Sequence, residues 1–321
     1  MKLVNFELEG KPCLGVVKGD RVVNLAVAFN LVLNRVVKFT AGSPQSKARH
    51  CVLPPSPLPQ DMIQLLQKDE SWFKTLEEML SGVVDFFHGD RELDRLFTPV
   101  EAARLRAPIP RPGKIVCVGQ NYAAHARERG AELSSQPIFF LKSNNTICGP
   151  GDPIALPPGS SQVDYEAEFA VVIGQGGKQI PEEKAHEHIA GHMILNDVSA
   201  RDMQWQDKQW FRGKSCDTFA PTGPWIVTRD EIPDPHNLRI FLTLNGRTMQ
   251  DSNTSHMIFK VPYLVSYLSQ TLTWEAGDIL STGTPEGVGA HRTPPVFLQP
   301  GDTVSITVEK VGTLTNPVAG P

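Results

Sequence analysis

No stretch of this sequence stays apolar long enough to cross a bilayer: runs such as residues 169–173 fall far short of the roughly 20 residues a spanning helix needs. Nor is there an excess of one charge. Lys and Arg total 31 against 35 Asp and Glu, and the basic residues are scattered, so the phosphate-gripping face of a nucleic-acid binder is missing. Neither membrane nor nucleic acid is an expected partner. The five cysteines, Cys13, Cys51, Cys117, Cys148 and Cys216, are odd in number and widely spaced, which argues against a disulfide framework or a paired-cysteine zinc site. Reduced thiols are expected, and Cys216 has no base beside it in sequence that would make it a nucleophile. Residues 1–10 alternate charged and apolar types and lack both an apolar signal core and an arginine-rich leader. The expected location is therefore cytoplasmic, with the mitochondrial matrix as the alternative if a leader precedes the sequence given.

Familiar catalytic templates are absent too. Gly213-Lys214-Ser215 ends like a phosphate loop, but no glycine stands five residues before Gly213. Residues 174–178, GQGGK, read as a tight turn after a strand. There is no G-x-S-x-G nucleophile elbow and no paired-histidine zinc motif.

What is present is ordinary globular material, 321 residues of which 40% are hydrophobic, enough for one large domain or two smaller ones. Residues 1–40 carry short alternating stretches, 3–8 and 14–25, broken at Gly10, Gly15 and Gly19, which predict a small antiparallel sheet. After a proline-rich stretch at 54–59, Asp61 is placed to cap a helix whose apolar residues run from Met62 to Leu80 and stop at Gly82. Three prolines and a glycine at 107–113 mark a boundary, giving a small N-terminal domain over 1–107 and a second domain over 113–321. Beyond it short strands dominate: 114–118, 137–141, 166–173, 223–227, 238–244, 248–250, 279–281 and 303–309, with Asn245-Gly246 as a hairpin turn. Helices are expected near 121–129, 181–190 and 261–270. The fold class is α+β, mostly β.

Residues 163–174, VDYEAEFAVVIG, place Glu166 and Glu168 on one face of a strand. Most such pairs face solvent, yet here both faces turn apolar at once, and burying two carboxylates costs several kcal/mol unless a cation compensates. A divalent ion is therefore expected. Downstream an apolar run ends abruptly in Asn196, Asp197 and Ser199, so Asp197 is a third oxygen ligand suited to Mg2+ or Mn2+; a helix N-cap is the competing role. His125 and Glu128 lie three apart, on one helical face, where a carboxylate raises the basicity of an imidazole. From the residues alone, a solvated surface pair among Arg127 and Arg129 is the commoner reading. His186, His188 and His192 follow acidic residues, and solvated or capping roles are expected of them.

Six motifs in order, NYAAH, DYEAEFAVVIG, NDVSARD, the GKS-x-DTFAPTGP stretch, LNG followed by SNTSHMIF, and GDILSTGTPEGVG, resemble the fumarylacetoacetate hydrolase superfamily over about residues 112–321. The first hundred residues resemble, more weakly, the small N-terminal domain of its longer members, including the domain-containing protein 2 type. The resemblance implies a β-roll carrying a small N-terminal α/β domain, a homodimer, and an enzyme acting on a 2-oxo carboxylate. It also implies Glu166, Glu168 and Asp197 as ligands of Mg2+ or Mn2+, His125, Glu128 and Lys214 as catalytic, and Arg201, Gln204 and Thr284 as substrate-binding. The name-giving hydrolase has a further acidic ligand near the position of Asn121. An amide there speaks against fumarylacetoacetate itself as substrate. The expected reaction is hydrolysis of a C–C bond in an acylpyruvate through an enolate stabilised by the ion; the alternative is an oxaloacetate-like 2-oxo diacid tautomerase, isomerase or decarboxylase. A non-catalytic ligand-binding module is the third reading, and under it the His125–Glu128 pair would be dispensable.

Overall fold

Two hairpins open the chain. Glu9 and Gly10, both at positive φ (51° and 76°), turn strand Lys2–Leu8 back onto Lys11–Lys18, and Gly19 at φ 63° begins the turn into Arg21–Asn24. Two consecutive residues at positive φ make the turn whose twist matches that of paired strands. A computed structural model of the chain describes residues 1–39, 53–55, 57–86, 96–128, 130 and 132–320; Cys51 and Arg129 lie outside them. The chain divides into two units, Met1–Arg104 and Leu105–Pro321.

In the first unit the three strands are joined by Phe97–Pro99 in an antiparallel sheet. Helix Leu25–Phe39, which the alternating pattern did not anticipate, starts where the Asn24 side chain accepts from the backbone of Ala26 and Val27. Asp61 caps a helix as expected, accepting from Gln64 N at 2.8 Å, but that helix is only Met62–Leu66. A second, Glu70–Phe86, begins under Asp69 and runs through Gly82. Two capping aspartates eight residues apart split what the apolar periodicity made one helix.

The second unit holds two larger sheets and a two-stranded one that pairs Val163–Asp164 with Ser199–Ala200. One of the larger sheets has the order Ala220–Thr228, Ile189–Asn196, Ala167–Ile173, Ile279–Ser281, Ile115–Gly119, Ile138–Lys142; the other runs Arg247–Asn253, Arg239–Leu244, Thr303–Val308, Gly312–Ala319, Ile154–Ala155. The fold is α+β with strand predominating. Every residue of Ala167–Ile173 is buried, and Phe169, Val171 and Ile173 join Ile240, Leu242, Ile306 and Leu314 of the other sheet in one core. The Asn245-Gly246 hairpin (φ 53° and 79°) forms as expected, as does helix Val261–Ser269. The helix expected near 181–190 is instead a 3-10 helix, Glu182–His188, because residues 189–196 are drawn into the sheet between two long strands. Among the described residues no helix is long and apolar enough to cross a membrane.

His192 corrects the expectation of a solvated histidine. It sits in the central strand Ile189–Asn196, 2% exposed, stacked on Phe169 with ring centroids 5.0 Å apart, and neither ring nitrogen has a partner. Burial, with His236 adding to it, holds its pKa down to about 3. An unfolded histidine titrates near 6.5, so the unfolded chain binds the proton first and stability falls as pH drops from about 6.5 toward 3, by on the order of 4 kcal/mol from this group. His192→Leu removes that loss and two partnerless buried nitrogens. Urea-unfolding midpoints measured from pH 7 to pH 3 are expected to fall less steeply in the variant; parallel curves would refute the assignment.

Candidate active site

The pairing of two strands assembles the acidic centre. Ala167 lies opposite Asn196, so Glu166 and Glu168 flank the strand start on one side and Asp197 follows the strand end on the other, with Asp197 N donating to Glu166 O at 3.0 Å. The Asn196 side chain accepts from Glu166 N and fixes the same corner. All three carboxylates are buried, and each offers an oxygen within 4.8 Å of the others.

Such a cluster requires cations, and the protein supplies three. Lys214 Nζ reaches Glu166 Oε2 at 2.6 Å and Asp197 Oδ2 at 2.7 Å; Lys142 Nζ reaches Asp197 Oδ1 at 2.6 Å. Arg201 bridges Glu166 Oε1 at 2.8 Å and Asp164 Oδ2 at 2.7 Å. Lys142, Lys214 and Arg201 thus pair with three of the four carboxylates here, Asp164, Glu166 and Asp197, and leave Glu168 unpaired. Glu168 is the carboxylate without a partner cation: among the described residues it accepts from Ser281 Oγ at 2.5 Å and Gly283 N at 2.9 Å. Burial raises the Glu168 pKa well above the carboxylate range, and the charges of Asp197 and Glu166 push it the same way. Glu166 goes in the opposite direction: burial opposes its ionisation, but Lys214 and Arg201 outweigh burial and lower it. Three convergent carboxylate oxygens, one of them on a group that no protein cation pairs, match what a hard divalent cation takes. The residues present fit Mg2+ or Mn2+.

His125 stands on the short helix Ala123–Glu128 and contacts Glu128 Oε2 through Nδ1 at 3.4 Å. Gly287 N donates to both Glu128 oxygens, at 3.1 and 3.2 Å. Burial would raise the Glu128 pKa, yet the bonds from His125 and Gly287 bring it below the usual value. His125 is itself only 3% exposed, so the pair is a built feature and not a solvated surface pair. A small pocket brings together His125, Glu166, Glu168, Asp197, Gln204, Lys214 and Thr284, with Phe140 and Trp210 as aromatic walls. Two of the expected residues stand behind it. Glu128 backs His125, and Arg201 is engaged by Asp164, Glu166 and, at 3.1 Å, Gln204 Oε1. Asn121 is committed to the backbone: its amide donates to Thr282 O and Phe259 O and accepts from Phe259 N.

Sequence reasoning missed Lys142, Asp164 and the extent of the loop after Ile279–Ser281. Period-two alternation held the signal for the first, since Lys142 shares a strand face with Phe140, a wall of the cavity. Asp164 stands two residues before Glu166, in step with Glu166 and Glu168, and accepts from Gly289 N and Ala290 N as well as from Arg201. The loop could not be read from composition. Its glycines are required by contact: at Gly283 (φ 95°) a Cβ would come within 3.0 Å of Val118 O, and at Gly287 (φ 95°) it would collide with Met249 O.

The fold is that of one family: the model of the fumarylacetoacetate (FAA) hydrolase C-terminal region matches residues 114–319. The chain belongs to the fumarylacetoacetate hydrolase family and is an enzyme of its domain-containing protein 2 type. It is 44% identical over 263 residues to the "Oxaloacetate tautomerase FAHD2A, mitochondrial" of Bos taurus, covering 81% of this chain and 80% of that one. Among solved structures it is similar to the fumarylacetoacetate hydrolase of Exiguobacterium antarcticum, with 32% identity, TM-score 0.77 and all of both chains covered. It is also similar to the maleylpyruvate hydrolase of Sphingobium sp. SYK-6 in complex with manganese(II) and pyruvate, with 28% identity, TM-score 0.72 and 100% and 99% of the chains covered.

Two outcomes follow from this geometry. Glu168→Ala removes the carboxylate of the cluster that no protein cation pairs, so titration calorimetry with Mn2+ is expected to show most of the affinity gone; wild-type affinity would refute its place among the ligands. Lys142→Met leaves an oxygen of Asp197 buried without its cation, at a cost of about 3–5 kcal/mol in unfolding free energy. A variant as stable as the wild type in urea, without added metal, would show that Lys142 carries no such role.

Proposed function

We propose that this enzyme interconverts the keto and enol forms of an oxaloacetate-like 2-oxo diacid with the help of Mg2+ or Mn2+. The observation that carries the reading is the activity named for a relative 44% identical over four-fifths of both chains, set beside a single buried imidazole–carboxylate pair at the cavity. Keto–enol exchange asks for little more than one well-placed proton carrier and a way to hold negative charge on oxygen.

Glu166, Glu168 and Asp197 would hold the ion, which when bound supplies Lewis acidity toward the 2-oxo oxygen. His125 takes the proton from the carbon between the ketone and the distal carboxylate, or returns it there in the reverse direction. Glu128 fixes the imidazole and stabilises its cation, and Gly287 N in turn fixes Glu128. Lys214, held against Glu166 and Asp197, adds positive charge where the oxygen of the enolate becomes negative. Thr284 and Gln204 offer hydrogen bonds to the carboxylate ends of the substrate. Arg201 supports this arrangement through Glu166 and Gln204.

A second reading, hydrolysis of an acylpyruvate, is favoured by the likeness to the maleylpyruvate hydrolase in complex with manganese and pyruvate. In that reaction His125 and Glu128 would deprotonate a water that attacks the distal carbonyl. Relatives named as mitochondrial support a mitochondrial location over the cytoplasm. As a macromolecular partner we propose a second copy of the chain, supported by the exposed Ile138 and Leu141 on the edge strand Ile138–Lys142.

Enol-to-keto conversion of oxaloacetate and hydrolysis of acylpyruvates, assayed side by side with Mg2+, test the choice: faster tautomerisation supports the proposal, and hydrolysis alone overturns it. Excess EDTA is expected to abolish turnover. His125→Ala is expected to lower kcat by about 10²- to 10⁴-fold while Mg2+ affinity barely changes, with a related loss in Glu128→Gln. Wild-type turnover in both variants would remove the pair from the mechanism.

A further inference from the structure

Gln250 is a buried amide at 1% exposure on the edge strand Arg247–Asn253. Leu242 pairs with Gln250 and Thr243 with Thr248, so Met249 is an extra residue, and such a bulge re-aims the side chains beside it. The Gln250 side chain reaches the acidic strand of the other sheet. Its Oε1 accepts from Ala167 N at 2.9 Å, between Glu166 and Glu168, and its Nε2 donates to Thr284 Oγ1 at 2.9 Å and to Pro285 O at 2.8 Å. The orientation of the amide is not free: Ala167 N has only a hydrogen to give and Pro285 O only lone pairs.

That fixed orientation decides what Thr284 can do. A hydroxyl donates once and accepts up to twice; with Gln250 donating to its oxygen, the Thr284 hydrogen is left for another acceptor. Thr284 has no other hydrogen-bond partner among the described residues, and it lines the cavity. We infer that Gln250 is a positioning residue that sets the Thr284 hydroxyl as a donor toward a substrate carboxylate oxygen. The inference rests on the proposed function in one respect, that Thr284 meets a carboxylate of the substrate. Through Ala167 and Thr284 the same amide ties the Glu166–Glu168 corner to the carboxylate-binding hydroxyl, so the spacing between the ion's ligands and the substrate's charged end is set by one side chain.

Two substitutions separate this role from simple packing. Gln250→Glu keeps the length and the acceptor for Ala167 N but cannot supply donors to both Pro285 O and Thr284. Ionised, it makes Thr284 donate back to the protein; protonated, its one hydrogen is taken by Pro285 O. Gln250→Met has similar bulk and loses every bond. Oxalate, a planar dianion with the chelating oxygens of a 2-oxo acid, serves as the binding probe on Mg2+-saturated protein, alongside KM and kcat for oxaloacetate. Gln250→Glu is expected to raise the oxalate Kd and the KM by about 10- to 100-fold, the weight of a hydrogen bond to a charged group, with kcat changed far less. Gln250→Met is expected to lose less. If Gln250 only supported the strand, the order would reverse, because Gln250→Met alone orphans Ala167 N.

Thr284→Val is the control for both assignments. On that background Gln250→Glu is expected to have no further effect on oxalate binding, whereas direct repulsion by a new charge would persist and overturn the inference. Should Gln250→Glu fail to fold, the cycle of Gln250→Met with Thr284→Val reads the same coupling, and additive effects overturn the inference. Unchanged oxalate binding and KM in Thr284→Val would instead refute the role of Thr284. A loss there with none in Gln250→Glu would refute the role of Gln250 alone.

Discussion

Repulsion among carboxylates that the sheet forces together is the constraint around which the second unit is arranged. Glu166, Glu168 and Asp197 are buried where two antiparallel strands meet, in the register that also keeps Phe169, Val171 and Ile173 in the core. Lys142, Lys214 and Arg201 are drawn inward as counter-charges, each long enough to reach the cluster from a different element. They leave Glu168 as the carboxylate without a partner cation. A buried cluster of this kind adds nothing to stability for its own sake, since apolar residues of the same volume would serve better. Its presence argues for a ligand.

The loop that follows strand Ile279–Ser281 holds the other half of the arrangement. Ser281 and Gly283 bond Glu168, Gly287 N bonds Glu128, and Gly289 N and Ala290 N bond Asp164. One stretch of backbone therefore sets the carboxylate without a partner cation, the orienter of the imidazole and the anchor of Arg201. Two of its glycines are there because Val118 O, Asn121 and Met249 O leave no space for a side chain. Proton transfer needs its donor and acceptor held within hydrogen-bond reach, and a loop stitched at so many points does that without bulk.

The legible parts of this protein were those with a period or a turn. Strands 279–281 and 303–309, the Asn245-Gly246 hairpin and the inward placement of Glu166 and Glu168 all follow from side-chain alternation and local chemistry. The 3-10 helix Glu182–His188 was misread because tertiary pairing claimed residues 189–196, a competition that no local window contains. His192 was misread for the same reason. Glu128 and Arg201 were identified as functional, but their positions behind the cavity wall depend on contacts across 159 and 37 residues of sequence, to Gly287 and Asp164. Gln250 was overlooked because nothing local distinguishes an inward glutamine from a surface one.

Locating the ion tests the account most directly. Crystals soaked in Mn2+ and measured at the manganese absorption edge are expected to show one anomalous peak among Glu166, Glu168 and Asp197, with oxygens at roughly the 2.0–2.2 Å of a small hard cation. A cluster without such a peak at saturating Mn2+, its Glu166 and Asp197 still bridged by Lys214, would contradict it.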